Sequence, residues 1–426
     1  MGSVPGRRLG VAALSTMLLF GLALTASASG GKIDSGDTAW ILSSAGLVLL
    51  MTPGLAFFYG GLVRKKNMLS ILMQCFMAMC LVTVQWVVIG YTLAFGPDVG
   101  HLIGNLDWAF LNGVHAEPNE AYAATVPHLA YMAFQLKFAI ITPALIIGAF
   151  AERMKFSAFC VFTLLWATLV YTPVAHWIWG AGGFLKEMGA IDFAGGAVVH
   201  INAGMAALAA ALVMGPRLGK TAPPHSLPMA ILGAGMLWFG WFGFNAGSAL
   251  AANGIAATAF VTTHVSGAVA GLTWSLLDWV YHKKATTLGM ITGVVAGLAA
   301  VTPAAGVVTP AASMAIGFGS AVICFVSVTF VKARFGYDDT LDAFGVHGVG
   351  GIWGTLATGI WCVGGGANQF LIQLKTVLIT AVFSFAASWL LLKAVDRMVG
   401  LRVDERDERI GLDLTQHKET AYTLLD

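Results

Sequence analysis

A chain of 426 residues with 58% apolar and only 10% charged side chains cannot clothe a water-facing surface, because soluble domains carry roughly a quarter charged residues. The formal net charge of +2, with basic residues in short clusters between apolar runs, carries no message about nucleic acid, and no nucleic-acid partner is expected. The apolar runs continue for about twenty residues or more, the length of a membrane-crossing helix, without the alternation of a membrane β-barrel. The predicted fold class is an all-α polytopic membrane protein.

Residues 1–28 read as a signal peptide. Arg7 and Arg8 form its charged region, Leu9 to Thr25 its apolar stretch, and Ala26-Ser27-Ala28 a small-residue cleavage site. An uncleaved first transmembrane helix is the alternative. A signal of this kind implies bacterial export, with the mature N-terminus outside the inner membrane.

Eleven spans are expected across 29–399, near 38–62, 68–95, 126–151, 156–180, 193–214, 227–250, 255–280, 287–307, 309–331, 341–363 and 370–396. Basic residues cluster in alternate loops: Arg64-Lys65-Lys66, Arg153 and Lys155, Arg217 and Lys220, Lys283-Lys284, Lys332 and Arg334, and the tail after Lys393. The other side carries chiefly Lys32, Lys186 and Lys375. The positive-inside rule puts the N-terminus outside and the C-terminus in the cytoplasm, in agreement with an odd number of spans. The charged segment 400–426 is then a cytoplasmic tail.

Two histidines fall inside membrane runs, in matching frames. Asp192 precedes His200 by eight residues and Gly204 follows four later; Asp339, His347 and Gly351 repeat the spacing. Ionisable groups at membrane depth are costly and mark functional sites. The bland alternative is a pair of buried histidines satisfied by backbone carbonyls. Spans 5 and 10 run in opposite directions, which fits a five-plus-five inverted repeat with an extra C-terminal helix. Eight residues of helix rise about 12 Å, so across a core of about 30 Å the two imidazoles differ in depth by roughly 6 Å. They touch if the two helices are neighbours.

The remaining features are quieter. Five cysteines (Cys75, Cys80, Cys160, Cys324 and Cys362), scattered through apolar segments, read as free thiols rather than a disulfide framework or metal site. Small-residue spacings such as Gly233 with Ala234, and Gly267 with Gly271, predict close helix packing. The acidic loop at 96–125 is either a cation-biased entrance or a solvated loop. The stretch GPRLGKT at 215–221 lacks one residue between the glycines of a phosphate loop and follows a membrane span, so enzyme chemistry is not expected. His176 and His264 read as satisfied or interfacial, and Asp278 with His282 as an inner boundary cluster.

Several segments together carry a family resemblance: PGLAFFYGGLVRKKN (53–67), DFAGGAVVHINAG (192–204), GWFGFNAGS (240–248), VTPAAG (301–306), FGVHGVGG (344–351) and GLRVDERDERIGLD (400–413). The chain resembles the ammonium transporters of the Amt/MEP/Rh type, nearest their bacterial channels, over almost its whole length after the signal peptide. The resemblance implies an outer ammonium recruitment site at Phe134, Trp179 and Ser248. It implies a gate at Phe138 and Phe244, and pore-lining twin histidines at His200 and His347. Asp192 is implied as a structural carboxylate supporting cation binding, with Trp241 and Thr302 further along the pore wall. It also implies a homotrimer with one pore per subunit, no cofactor, and a PII-type nitrogen regulator docking at the inner face and tail. The competing readings are an ammonium sensor signalling through its tail and a neutral-gas pore for ammonia or carbon dioxide.

The residue types are coherent with this. Aromatic faces attract a cation without a carboxylate that would trap it, by roughly 0.5–2 kcal/mol. Most of the 13 Trp and 26 Phe, however, are expected to pack or face lipid. Phe134 with Phe138, and Trp241 with Phe244, share helix faces by their spacing. Neutral imidazoles in contact offer donors and acceptors for a proton relay holding one proton at a time. Lys137, beside Phe138, departs from the family; it is expected to face a neighbouring helix or subunit, or to snorkel outward.

Overall fold

Continuous apolar sequence with no polar stripe folds as helices apolar all round, some enclosed by their neighbours and others leaving one side open. The computed structural model describes residues 32–219 and 223–422. The expected signal peptide, residues 1–28, lies outside the described residues. Nine helices among those described are long and apolar enough to cross a membrane: Ser35–Leu62, Lys65–Phe95, His128–Phe150, Phe156–Glu187, Gly196–Met214, Leu227–Gly247, Gly254–His282, Pro310–Phe335 and Ala367–Val399. Thr287–Val301 is a shorter apolar helix, and a turn at Phe344–Gly348 continues into the helix Val349–Trp361. Loop 96–125 carries two small antiparallel pairs, Asp98–Val99 with Ile103–Gly104 and Pro118–Asn119 with Ala123–Pro127. The face bearing this loop is termed outer, and the opposite face, bearing the tail, inner.

The helix His128–Phe150 is buried along nearly its whole length. Small residues let its neighbours approach. A Cβ on Gly233 would lie 2.2 Å from the Phe58 backbone nitrogen, so the helices Ser35–Leu62 and Leu227–Gly247 meet backbone to backbone. Gly271 similarly admits Val294.

One expected boundary moves. The eighth span, read as 287–307, is helical only to Val301; Thr302–Val307 is a chain of turns. Pro303 has no N–H to continue the ladder, and its carbonyl accepts from the Phe193 amide at 3.1 Å instead. Irregular backbone at this depth is tolerated because it packs inside the protein.

Among the described residues, five helices contain a wide π turn, at Trp86–Gly90, Ala167–Tyr171, Gly196–Ile201, Ser327–Val331 and Phe344–Gly348. Such turns commonly mark functional positions. His200 and His347 both lie within one.

The tail is docked on the inner face. Lys155 donates its amide to Leu401 at 2.8 Å, Ser70 donates to the Asp413 carboxylate at 2.8 Å, and Leu412 donates to the Asn67 side chain at 2.8 Å. Glu408, buried, pairs with Arg402 at 2.8 Å and accepts from the Leu218 amide. Beside it, Glu152 bridges Arg64 at 2.9 Å and Arg217 at 3.1 Å, and Arg217 reaches Asp338 at 3.1 Å. Burial pushes the Glu152 carboxyl up, but hydrogen bonds and charge from Arg64 outweigh it and hold the group below the usual range. Asp338 behaves alike, with Arg217 as its main partner. Arg217 is thus committed to carboxylates.

Candidate functional site

The path through the bundle begins at an outer cavity of about 160 Å³ whose lining includes Tyr122, Tyr131, Phe134, Phe138, Trp179 and Ser248. Phe134 and Phe138, one helical turn apart, meet edge to face at 4.9 Å. Phe138 presents its ring to Trp179 at 5.6 Å and an interplanar angle of 87°. The Trp179 indole N–H is spent on the Asp192 carbonyl at 2.8 Å, which fixes the ring and leaves its face to the cavity. The Ser248 hydroxyl donates to the Phe244 carbonyl at 2.8 Å, so its own lone pairs remain free to accept. The three residues expected at the outer site therefore share one cavity.

Its floor is the ring pair Phe138 and Phe244, with centroids 4.4 Å apart. Beneath them lies a constriction of about 10 Å³, at the lower limit for one water molecule, lined by His200, His347, Trp241 and Phe244 among others. His200 stacks on Trp241 at 5.5 Å and on His347 at 5.2 Å, the two imidazoles inclined by only 13°. The two rings are neighbours, near-parallel with centroids 5.2 Å apart, and no hydrogen bond joins their nitrogens. Both nitrogens of His200 and Nδ1 of His347 have no hydrogen-bond partner among the described residues. Trp241 donates to the Thr302 hydroxyl at 2.9 Å, bringing together two residues sixty-one apart in the chain.

His347 also lines a larger inner cavity of about 400 Å³, together with Asp278, His282, Lys332 and Asp342. Lys332 pairs with Asp342 at 2.7 Å, and the Asp278 carboxylate accepts from the Thr286 hydroxyl. The expected inner boundary pair, Asp278 and His282, thus belongs to the wall of the inner mouth.

Both aspartates of the repeated frame are helix caps. The Asp192 carboxylate accepts from the amides of Gly195, Gly196, Ala197 and Val198 at 2.5–3.0 Å. Asp339 accepts from Ala343 at 3.1 Å and Phe344 at 2.8 Å. A buried carboxylate so occupied anchors the π turn that carries each histidine, and it does not point into the path. Gly195 takes φ +121°, a conformation that lets the chain turn sharply from Asp192 into its helix.

The remaining expectations divide. His176 is satisfied, with Nε2 on Asp98 at 2.9 Å and Nδ1 on the Ala94 carbonyl at 3.0 Å. That contact also commits Asp98, so it is not a free charge at the entrance. His264 stands ten residues into the helix Gly254–His282, exposed, against Trp238 at 5.2 Å. Lys137 is half-buried and does not line the outer cavity, since adjacent helical residues point about 100° apart. Sequence reasoning missed Lys186 in the outer cavity wall and the inner-face ion network. Among the described residues, no group of three or more His, Cys, Asp or Glu is arranged to hold a metal ion.

An aromatic cavity thus lies above a narrow, histidine-lined constriction. The profile of the Ammonium Transporter Family matches residues 39–422. The chain belongs to that family. It is 49% identical to an ammonium transporter of Bacillus subtilis, over 92% of this chain and 99% of that protein. It is 44% identical to the ammonium transporter Amt1 of Archaeoglobus fulgidus, over 92% of this chain and all of the relative. Among solved structures, Candida albicans Mep2 superposes with a TM-score of 0.83 at 36% identity, covering 88% of each chain. A structure described as a sensor Amt protein gives a TM-score of 0.85 at 30% identity, over 90% of this chain and 98% of that one. The transporter is therefore a helical membrane protein of the ammonium transport type.

Proposed function

We propose that this family member carries ammonium across the bacterial inner membrane by splitting it. Ammonium is recruited by the faces of Phe134 and Trp179 and by the lone pairs of Ser248, passes the ring pair Phe138 and Phe244, and gives up a proton beneath it to the acceptor nitrogen of His200. Ammonia then passes His200 and His347, while the proton moves along the imidazoles. Asp192 supports the site through the helix it caps, and Trp241 with Thr302 forms the wall.

The single observation that carries this reading is the stacked histidine pair, with three ring nitrogens lacking protein partners, in a constriction of about 10 Å³. Buried polar atoms in native proteins are normally partnered, so a site built with free ones is built for a polar guest. An unpaired ion there would cost several kcal/mol or more, whereas ammonia offers both a lone pair and N–H donors.

The eleven-span, N-out and C-in arrangement and the five-plus-five inverted repeat belong to the same proposal. The π turns at Ala167–Tyr171 and Ser327–Val331, in spans 4 and 9, and at Gly196–Ile201 and Phe344–Gly348, in spans 5 and 10, support the repeat by falling in corresponding spans. Assembly as a homotrimer and docking of a PII-type regulator against the tail complete it. The resemblance to a protein described as a sensor Amt, and a tail tied to the inner loops, favour a second reading in which ammonium sensing accompanies transport.

Ammonium pulses applied to proteoliposomes on a solid-supported membrane, at several pH values, test the mechanism. The intact protein is expected to give a transient current, and the double variant His200→Ala with His347→Ala to lose it while ammonia still equilibrates. Undiminished current in a folded, reconstituted double variant would leave the histidines as polar lining only.

A further inference from the structure

Lys186 sits on the short outer helix Phe184–Glu187, and its side chain lines the same cavity as Phe134, Trp179 and Ser248. Of the residues lining that cavity it alone carries a charge. Its Nζ donates to the Trp179 carbonyl at 3.1 Å and stands 5.8 Å from the centroid of the Tyr122 ring. A carbonyl oxygen and an aromatic face are the partners that a free ammonium ion would seek. Among the described residues Lys186 forms no ion pair, so no carboxylate neutralises it.

We propose that Lys186 is a tethered ammonium that sets the apparent affinity and the cation selectivity of the outer site. The inference rests on the recruiting role proposed above for this cavity. Lys186 occupies one carbonyl and one ring face, and its charge opposes any arriving cation. A divalent ion meets twice the repulsion and keeps its hydration shell. Ammonium and methylammonium can offset the repulsion through the faces of Phe134 and Trp179 and the Ser248 oxygen. Because the lysine is exposed at the cavity rim, water screens the repulsion and holds the effect to several-fold. Weaker capture also shortens residence, which favours passage over trapping.

A charge series at this position tests the inference. Lys186→Gln removes the charge but keeps a donor for the Trp179 carbonyl, Lys186→Arg keeps both, and Lys186→Glu reverses the charge. The readout is the half-saturation concentration for methylammonium uptake into proteoliposomes, with and without added magnesium. It is expected to fall about five-fold in Lys186→Gln and further in Lys186→Glu, and to stay within about two-fold in Lys186→Arg. Magnesium should inhibit only the neutral and acidic variants. Glutamine and arginine variants that shift together, or a half-saturation independent of charge, would overturn the role. Trp179→Leu run in parallel separates the causes. If Trp179→Leu moves the half-saturation and Lys186→Gln does not, the cavity recruits and Lys186 is a bystander. If neither moves it, recruitment fails together with this inference.

Discussion

Gly204 and Gly348 meet backbone to backbone at the crossing of the two histidine helices. A Cβ at 204 would lie 2.2 Å from the Gly348 Cα and 2.3 Å from its nitrogen. The contact has a reciprocal: a Cβ on Gly351 would strike the Gly196 carbonyl and the His200 Cβ, both at 2.9 Å. The glycine that ends each frame is thus the surface against which the other histidine segment rests. This crossing brings the rings of His200 and His347 to 5.2 Å.

Gly204→Ala should therefore force the helices apart, since the clash is with backbone and no side chain can swing away. We expect a loss of about 1–3 kcal/mol, as for overpacked cores, together with loss of ammonium current. Gly254→Ala, where a Cβ meets nothing within 4 Å, should change stability by less than about 0.5 kcal/mol. Thermal unfolding in detergent compares the two; equal melting temperatures would contradict the packing role of Gly204.

Asp192→Asn tests the cap. Four amides converge on the carboxylate, and an asparagine offers one acceptor oxygen while its NH₂ faces donors. Leaving two amides unsatisfied should cost about 2–4 kcal/mol. Transport should fall in step with stability, and exclusion of potassium should survive because the carboxylate does not reach the path. Potassium leakage in a stable Asp192→Asn protein would mean the carboxylate acts on the permeating ion itself.

What could be read in the sequence follows from what is periodic or costly there. Long apolar runs locate nearly every helix, and the cost of burying imidazoles singles out His200 and His347. The frame D-x7-H-x3-G occurs twice in the sequence, and the geometry explains each part: aspartate for the cap, histidine for the lining, glycine for the crossing. Phe134, Phe138, Trp179 and Phe244 could not be separated from other aromatic residues by their chemistry alone; only the family resemblance chose them. The π turns were illegible because they arise from tertiary packing and leave no composition signal. Lys186 read as one more loop lysine, since nothing local says that residues 122, 179 and 186 converge. Val301 was overrun as a helix end although Pro303 stood two residues beyond it.

The tail supplies another expectation. Deleting 400–426 removes the Ser70–Asp413 and Leu218–Glu408 contacts as well as any regulator surface. Co-purification with a PII protein should be abolished while membrane insertion persists. Retained co-purification would assign the partner to inner loops instead. A collapse of transport would make the tail a brace for the inner mouth.

Acid should loosen the same face through Glu152 and Asp338. Arg64 and Arg217 hold the two carboxyls below their unfolded values, so the stabilisation is fully present above the usual carboxylate range, about pH 4. It is lost as pH falls through the lowered folded values. The melting temperature should therefore drop more steeply between pH 6 and pH 3 (roughly the carboxylate range) in the intact protein than in Glu152→Gln. At pH 7 that variant should itself lose about 1–3 kcal/mol, below the cost of breaking a fully buried pair because both arginines keep some solvent and Arg217 keeps Asp338. Parallel pH profiles for the two proteins would remove Glu152 from the acid response.

The last expectation concerns His200→Asp. The wild-type constriction is about 10 Å³ and sets the His200 ring against Trp241 and Phe244, so it is expected to exclude hydrated cations. A carboxylate at 200 is smaller than the ring it replaces, attracts any cation, and draws water into the space the ring occupied. Potassium should then compete with ammonium and carry current of its own. His200→Ala opens comparable space without charge, so it separates the two causes: it should admit ammonia and water but little potassium, since an ion stripped of its shell still has no compensating partner there. Potassium current in His200→Asp alone would locate selectivity in the absence of fixed charge at the histidine pair. Equal potassium currents in both variants would assign it to the size of the constriction, and potassium exclusion by both would move selectivity outward to Phe138 and Phe244.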